Sequence, residues 1–444
     1  MRVAFLIRRD NHYRLLGPAI DRALARGWDV ECWHAVDEGL KGARALERRQ
    51  AGPAFRSGRP RLREFRVDGL ARLVTEVAPD ILITMYRARG IARDGRARWL
   101  GLQYTLNIGE LVDGDGATPF DAIGVHTEHW RTVAADSLRM LDETRGRAAA
   151  PVDDRAVAAT LRRRGVVVGF PEMDQLHLVD AAAVRATLGL DATRPVVLYC
   201  PFPFLSNPRT FWTRNIYGPF QANPYTARIE HRLQRADRLL DRAGRLRQRL
   251  AVRMPTGRRY SRDVANGWDD RGVVRAVRAF CDANGAALIV KARAKDPVAG
   301  YLRAAADHVR YDGTDYPATI LELMSIASLC VHFFSTVAYE AAYAGVPSVC
   351  VTADADDLGF SPTLRTSFLS TASGSSFNFP GVTYPLGVAD LVADFPRRRF
   401  ADFPLEPAAR AQYLDKFVGR DDGKASDRLL DVAASLVDGE EPGR

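Results

Sequence analysis

The sequence predicts an α/β protein with two doubly wound parallel sheets and one long insertion in the second half. Short apolar segments alternate with amphipathic helical patterns, which is typical of parallel strands covered by helices on both faces. This alternation occurs twice along the 444 residues, and a chain of that length is expected to form two or three domains. The segment at 202–270 breaks the alternation.

The first series of elements starts at the amino terminus. Residues 2–7 are predicted to form a strand, and the helical pattern at 15–26 ends at Gly27, a residue that suits a helix end. Further strands are predicted at 29–33, 80–84, 100–106, 121–125 and 166–168, and further helices at 69–77, 129–141 and 153–163. We therefore assign residues 1–175 to a first domain.

The second series begins at Pro195 and repeats the same alternation. Strands are predicted at 196–200, 286–291, 329–333 and 346–351, and helices at 272–283, 319–327 and 337–344. We assign this series to a second domain at 190–400. Residues 401–444 are predicted to be a helical tail, with helices at 407–417 and 425–436. A terminal helix in such folds often crosses back to the first domain.

The insertion at 202–270 is aromatic at its start and rich in arginine further on. The chain carries a net charge of +9, and residues 228–262 alone hold twelve arginines against three acids. Three interpretations remain open: docking on an anionic membrane surface, binding of an anionic acceptor, or a solvated helical arm. Nucleic-acid binding is not favoured, because the rest of the chain is nearly neutral and has no nucleic-acid motif.

Cysteine spacing and hydropathy indicate the cellular compartment of the protein. The five cysteines are far apart and show no metal-ligand spacing, so we expect buried free thiols in a reducing environment. No apolar run is long enough to span a membrane, and the apolar stretch at the amino terminus is short for a signal peptide. These features predict a cytoplasmic protein, with the inner face of the cell membrane as a candidate docking surface.

The segment after the predicted strand at 329–333 carries the strongest functional signal. Ser335 and Thr336 stand between this strand and a helix, where free amides and small hydroxyl side chains favour an anion such as a diphosphate. Glu340 follows one turn later among apolar residues, and its carboxylate could accept both hydroxyls of a ribose. A simple helix cap and a solvated carboxylate are the alternatives.

These residues carry a resemblance to a known family. The stretch STVAYEAAYAGVPSVCV at 335–351 resembles the donor-site signature of glycosyltransferases with the GT-B fold. More narrowly, it is similar to bacterial enzymes that build capsule and lipopolysaccharide, and to the related CDP-glycerol glycerophosphotransferases. The preceding ELMSIASL is similar to a segment of the family that ends in Ala-Asp-Leu, with Ser328 where the aspartate is common.

Two further segments extend the resemblance. VVGFPEMDQL matches the G-x-P-x-x-D element of these enzymes and of UDP-sugar 2-epimerases at Gly169, Pro171 and Asp174. ALIVKARAKDP resembles a strand that ends in a basic loop, with Arg293 where histidine is usual. The resemblance implies two Rossmann-like domains around a cleft, with a nucleotide sugar as substrate and neither a metal nor a separate cofactor. The donor-binding residues would then be Lys291, Arg293, Lys295, Ser335, Thr336 and Glu340.

A transferase of this kind needs a base near the acceptor hydroxyl. The loop after the first strand offers Asp10 and His12, and the loop after the strand at 100–106 offers Glu110. Loops at the carboxyl ends of strands face the cleft in doubly wound sheets. His126 and His129 could also line the cleft, whereas we expect His332 to be a satisfied core residue.

The sequence therefore predicts a glycosyltransferase that moves a sugar to a cell-surface glycan or glycolipid. The same fold also accommodates phosphotransfer from a CDP-polyol or epimerisation of a UDP-sugar. A non-catalytic nucleotide-binding or membrane-associated scaffold is the alternative from another class. The aromatic insertion favours an acceptor, and hence a transferase, over an epimerase.

Overall fold

The computed structural model describes residues 1–8, 12–35, 55–86, 97–104, 108, 110–144, 151–201, 270–292, 300–311, 316–352 and 363–440. This part of the chain contains two parallel sheets of seven and six strands, each flanked by helices. The predicted class of two doubly wound sheets is thereby confirmed. The insertion at 202–270 lies outside the described residues, except for its last residue.

The first sheet has the strand order β3-β2-β1-β4-β5-β6-β7, and all its strands are parallel. Its strands are β1 (Arg2–Ile7), β2 (Asp29–Ala35), β3 (Arg61–Phe65), β4 (Ile81–Thr84), β5 (Arg98–Leu102), β6 (Ala122–Val125) and β7 (Gly165–Val167). The flanking helices are α1 (His12–Ala25), α2 (Leu70–Val77), α3 (Glu128–Thr132), α4 (Ala134–Thr144) and α5 (Asp154–Arg164). The strand order reverses between β1 and β4.

The edge strand β3 has no counterpart among the predicted strands. Four of its five residues are exposed, so it lacks the apolar alternation that identifies a half-buried strand. Ion pairs hold β3 to the neighbouring strand β2 instead. Arg63 Nε lies 2.6 Å from Glu31 Oε2, and Arg61 Nε lies 3.4 Å from Glu31 Oε1. Charged side chains of this kind protect a sheet edge from pairing with another chain.

The second sheet has the strand order β10-β9-β8-β11-β12-β13, again all parallel. Its strands are β8 (Val196–Cys200), β9 (Ala287–Ala292), β10 (His308–Tyr311), β11 (Leu329–His332), β12 (Ser348–Thr352) and β13 (Thr383–Gly387). Its helices are α6 (Ala181–Thr187), α7 (Asp270–Ala283), α8 (Gly300–Ala305), α9 (Thr319–Met324), α10 (Val337–Tyr343) and α11 (Val388–Asp394). The edge strands β10 and β13 are also missing from the prediction.

The last two helices, α12 (Pro407–Phe417) and α13 (Ala425–Val437), return the chain to the first sheet. Leu429 and Leu430 are fully buried in one core cluster with residues of α1 and of β1. The carboxylate of Asp174 accepts hydrogen bonds from the amides of Ala425 and Ser426, at 3.1 and 2.7 Å. The aspartate of the G-x-P-x-x-D element thus stabilises the start of α13.

Helix α1 joins the two halves of the molecule. Tyr316 precedes α9 of the second half, and its hydroxyl donates to Asp21 Oδ2 of α1 at 2.8 Å. Gln175 donates to the carbonyl of Arg14 at 2.8 Å and accepts from the amide of Ala318 at 2.7 Å. Gly17 lies directly under the Tyr316 ring, so the helix approaches the second half at a residue without a side chain.

We predict that Gly17→Val lowers the free energy of unfolding by about 2 kcal/mol or more, because a new Cβ would overlap the Tyr316 ring. The ring cannot turn away without losing its hydrogen bond to Asp21. Urea unfolding monitored by fluorescence measures the change. Gly69→Val is the matched control, since nothing lies within 4 Å of a Cβ at that position. Equal losses for the two variants would contradict the close packing of α1 on Tyr316.

Candidate functional site

The candidate site lies where the strand order of each sheet reverses. This occurs between β1 and β4 in the first sheet and between β8 and β11 in the second. Ligands of open α/β sheets bind at the carboxyl ends of strands at such points. Helix α1 follows β1 and helix α10 follows β11, and the first turns of these helices meet through an ion pair of Arg14 with Glu340. The two reversal points therefore face each other.

One arginine holds two buried carboxylates at this junction. Arg14 Nε lies 2.7 Å from Glu172 Oε1, and Arg14 Nη2 pairs with Glu340 Oε1. The side chains of Glu172 and Glu340 are only 3% and 2% exposed. Oε2 of Glu340 is buried and has no hydrogen-bond partner among the described residues. A buried carboxylate oxygen without a hydrogen bond lowers the stability of the fold. Glu340 therefore indicates a place where a ligand could supply the missing donor.

The turn before α10 has an unusual backbone. Phe334 adopts a φ of +27°, a conformation that a bulky residue rarely takes. Ser335 Oγ accepts a hydrogen bond from the amide of Val337 at 3.3 Å, whereas Thr336 makes no side-chain cap. Both hydroxyl residues are half-buried. They lie at the carboxyl end of β11, one turn before Glu340.

The other predicted donor-binding residues are only partly described. Lys291 lies inside β9, with 8% exposure, and not in a loop after the strand. Strand β9 neighbours β8, so Lys291 is one strand away from the reversal point of the second sheet. Arg293 and Lys295 lie outside the described residues. Their role as phosphate ligands stays a prediction.

The first half contributes a cluster of aromatic and charged side chains. His12 is 4% exposed, and its ring centroid lies 5.8 Å from that of Tyr86 and 6.0 Å from that of Tyr104. The guanidinium of Arg8 lies 5.2 Å from the centre of the Tyr86 ring, and its Nη1 lies 3.5 Å from Glu110 Oε2. Two predicted base candidates, His12 and Glu110, are therefore linked through Arg8. The third, Asp10, lies outside the described residues.

The hydrogen bond of His12 decides where its proton lies. Nδ1 of His12 accepts from the backbone amide of Arg8 at 3.3 Å. A backbone amide can only donate, so the neutral imidazole carries its proton on Nε2. In this state His12 can donate a hydrogen bond through Nε2.

The next two acids of this loop, Asp113 and Asp115, belong to one closed turn. Asp115 Oδ1 accepts from the amide of Ala117 at 2.9 Å, which closes a tight turn around Gly116. The backbone amide of Asp113 donates to the carbonyl of Ala117 at 2.8 Å within the same turn. Asp113 and Asp115 therefore both contribute to the structure of this turn.

The other histidines are buried to different degrees. His126 is fully buried and stacks on Phe170, with ring centroids 3.3 Å apart, and neither of its ring nitrogens has a partner among the described residues. His332 is fully buried in β11, as expected. Its ring nitrogens also have no partner in the described part of the chain, so the expectation of a satisfied core histidine is wrong on that point. His129 is half-buried.

Sequence reasoning did not identify four residues of the site: Arg14, Tyr86, Tyr104 and Glu172. The two tyrosines come two residues after the ends of β4 and β5. Since loops at the carboxyl ends of strands face the cleft, their positions in the sequence could have identified them. Glu172 lies inside the quoted G-x-P-x-x-D element. Arg14 gives no sequence signal, because its importance arises only when the two halves of the chain come together.

The described residues form neither a metal-binding cluster nor a membrane-spanning helix. Within those ranges, no group of three or more histidine, cysteine, aspartate or glutamate side chains is arranged to hold a metal ion. No helix in the described part of the chain has the length and apolar character needed to cross a membrane.

Comparison with known proteins gives a likeness in structure alone. No protein-family profile matches the sequence, and no curated protein matches it. A solved structure of a variant of the wall teichoic acid polymerase TagF superposes with a TM-score of 0.54 at 10% identity, covering 99% of this chain and 89% of that one. A protein assigned as a UDP-N-acetylglucosamine 2-epimerase from Listeria monocytogenes superposes with a TM-score of 0.53 at 11% identity, covering 98% and 96%.

These likenesses extend over both halves of the chain. At 10–11% identity they establish the fold and nothing finer. The chain thus has a GT-B-type fold of two Rossmann-like halves, as the resemblance of its motifs implied.

The buried histidines predict how stability depends on pH. Burial lowers the pKa of His332 to about 3 and the pKa of His126 well below its usual value. Both stay neutral in the folded protein while the unfolded chain takes up protons below about pH 6.5. Above that pH the two histidines do not reduce the free energy of unfolding. As the pH drops towards 4, each of them lowers the free energy of unfolding by about 1.4 kcal/mol per pH unit.

Replacing either histidine should remove its share of this dependence. For His332→Leu, urea unfolding at a series of pH values should give a slope between pH 6.5 and 4 that is shallower by about 1.4 kcal/mol per unit. The slope above pH 7 serves as the internal control, because the histidine is neutral in both states there. An unchanged slope below pH 6.5 would show that His332 is protonated in the folded protein.

Proposed function

We propose that this protein is a glycosyltransferase that uses a nucleotide sugar as donor and binds it between its two halves. The observation that carries the proposal is the buried carboxylate of Glu340, with one oxygen paired to Arg14 and the other unpartnered. A ribose diol would supply the missing hydrogen-bond donors. The fold supports the proposal, because one structural neighbour is assigned to act on a UDP-sugar.

The donor diphosphate is proposed to lie at the turn between β11 and α10. The hydroxyls of Ser335 and Thr336 are half-buried there, next to Glu340 in the chain. Lys291, in the same sheet, provides positive charge, and Arg293 and Lys295 are proposed to add to it. Positive charge at this edge would stabilise the leaving nucleoside diphosphate as its bond to the sugar breaks.

The acceptor is proposed to react on the side of the first sheet. Glu110 would take the proton of the acceptor hydroxyl as the oxygen forms its bond to the anomeric carbon. At the same time the bond from that carbon to the phosphate oxygen breaks, and the electron pair leaves with the nucleoside diphosphate. His12 would donate a hydrogen bond from Nε2, since its Nδ1 is occupied by the amide of Arg8. Tyr86 and Tyr104 would shield the reacting groups from water.

The acceptor is proposed to be a glycan or glycolipid of the cell surface. The observations in favour are the resemblance of the motif at 335–351 to enzymes of surface polysaccharides and the fold shared with a wall teichoic acid polymerase. Transfer of a glycerophosphate from a CDP-polyol, and epimerisation of a UDP-sugar, are the competing reactions on this fold.

Binding is tested by thermal shift against UDP, GDP, CDP, CMP, ADP and dTDP. One nucleotide at a hundredfold excess over its dissociation constant should stabilise the wild type by about 2.7 kcal/mol. Glu340→Gln should lose most of this shift, because the amide is neutral and turns one acceptor oxygen into a donor. Ser348→Ala is the matched control, as Ser348 is a buried polar residue in the neighbouring strand β12 and does not belong to the proposed site.

The reaction is then tested with the sugar forms of the nucleotide that binds. A transferase releases nucleoside diphosphate only when an acceptor is present, whereas an epimerase converts the sugar without one. A phosphotransferase releases CMP. Glu110→Gln should lower kcat at least about a hundredfold and leave the nucleotide shift unchanged. No shift with any of the nucleotides would refute the donor site and favour the scaffold alternative.

A further inference from the structure

A basic groove lies between two helices of the second half, and none of its lining residues belongs to the site described above. It is a cavity of about 380 Å³ between α7 and α8. The residues that line it are Arg271, Val274, Arg275, Arg278, Ala279, Asp282, Tyr301 and Ala305. Three arginines against one acid give this lining an excess of two positive charges, so the groove is suited to an anion.

The three arginines follow one face of α7. Positions 271, 275 and 278 are separated by four and three residues, which places them in one row along a helix. At a rise of about 1.5 Å per residue the row extends over about 10 Å, with about 6 Å between its first two members. The groove therefore presents several cations in one line, which suits an anion that carries more than one charged group.

The arginines at the two ends of the row differ in their partners. Arg278 is engaged, because it pairs with Asp282 at 2.7 Å and with Asp307 at 2.9 Å. The guanidinium of Arg271 instead lies 5.3 Å from the centre of the Tyr301 ring. No carboxylate of the described residues pairs with it, and the side chain is exposed.

The contact with Tyr301 helps to position Arg271 for an anion. A guanidinium held over an aromatic ring is attracted to the ring and still has N–H donors available for an anion. Those donors match the two oxygens of a phosphate or carboxylate. Arg275, one turn further and also exposed, adds a second cation next to it.

We propose that the groove between α7 and α8 binds a soluble polyanionic chain that carries several phosphate or carboxylate groups. Arg271 and Arg275 bind anionic groups of this chain. Arg278, which pairs with Asp282 and Asp307, lies at the other end of the row and is not a ligand. The proposal does not depend on the reaction assigned to the cleft.

Binding is measured by titrating the full chain with short-chain inorganic polyphosphate. The double variant R271A/R275A is expected to weaken binding by about tenfold or more, because two charge-assisted contacts are lost. R162A/R163A is the matched control, since it removes two exposed arginines from α5 in the other half. It should change the affinity by less than about threefold.

Hydrogen exchange locates the bound chain. Polyphosphate should protect the backbone amides of residues 270–283 and 300–305 in the wild type and not in R271A/R275A. Equal weakening by the two double variants, or protection confined to other parts of the chain, would refute the proposal. It would also be refuted if R271A/R275A lost binding to phosphatidylglycerol vesicles and kept its affinity for polyphosphate, because the face would then serve a membrane.

Discussion

The structure depends on the guanidinium of Arg14 between two buried carboxylates. Arg14 belongs to the first turn of α1, Glu172 to the segment that connects the two halves, and Glu340 to the first turn of α10. Three separate parts of the chain are thus joined by one cation. Two carboxylates with 3% and 2% exposure would repel each other and lack solvation without it, so the charges specify how the halves meet.

The neighbouring contacts follow from this placement of α1. Once its first turn is fixed at the junction, Gly17 and Asp21 come against Tyr316 of the second half. In the connecting segment, Asp174 accepts hydrogen bonds from the first amides of α13, and α13 packs against α1. The helix that contributes His12 to the candidate site is therefore fixed by both halves. A ligand at Glu340 would bind the carboxylate that pairs with Arg14 of the same helix.

Sequence patterns predicted the parts of the fold that depend on local physics. Strands β1 and β8 are apolar except for Arg2 at the start of β1, and their predicted bounds agree with the structure. The sequence pattern did not predict strands β3, β10 and β13, because they lie at the edges of their sheets. An edge strand can leave part of its side chains exposed, so it lacks a clear apolar pattern. In the site, Glu340 was recognisable as a charge in an apolar helix. Arg14 was not, since its role depends on the docking of two domains distant in sequence.

The most direct test of this account is a double-mutant cycle on Arg14 and Glu340, measured by urea unfolding. We expect Arg14→Met to cost about 3–5 kcal/mol, because it leaves two buried carboxylates without a counter-charge. Adding Glu340→Gln should recover at least about 1 kcal/mol of that loss, since one of those charges is then removed. If the two substitutions instead add within about 0.5 kcal/mol, Arg14 does not hold the halves together and the account is contradicted.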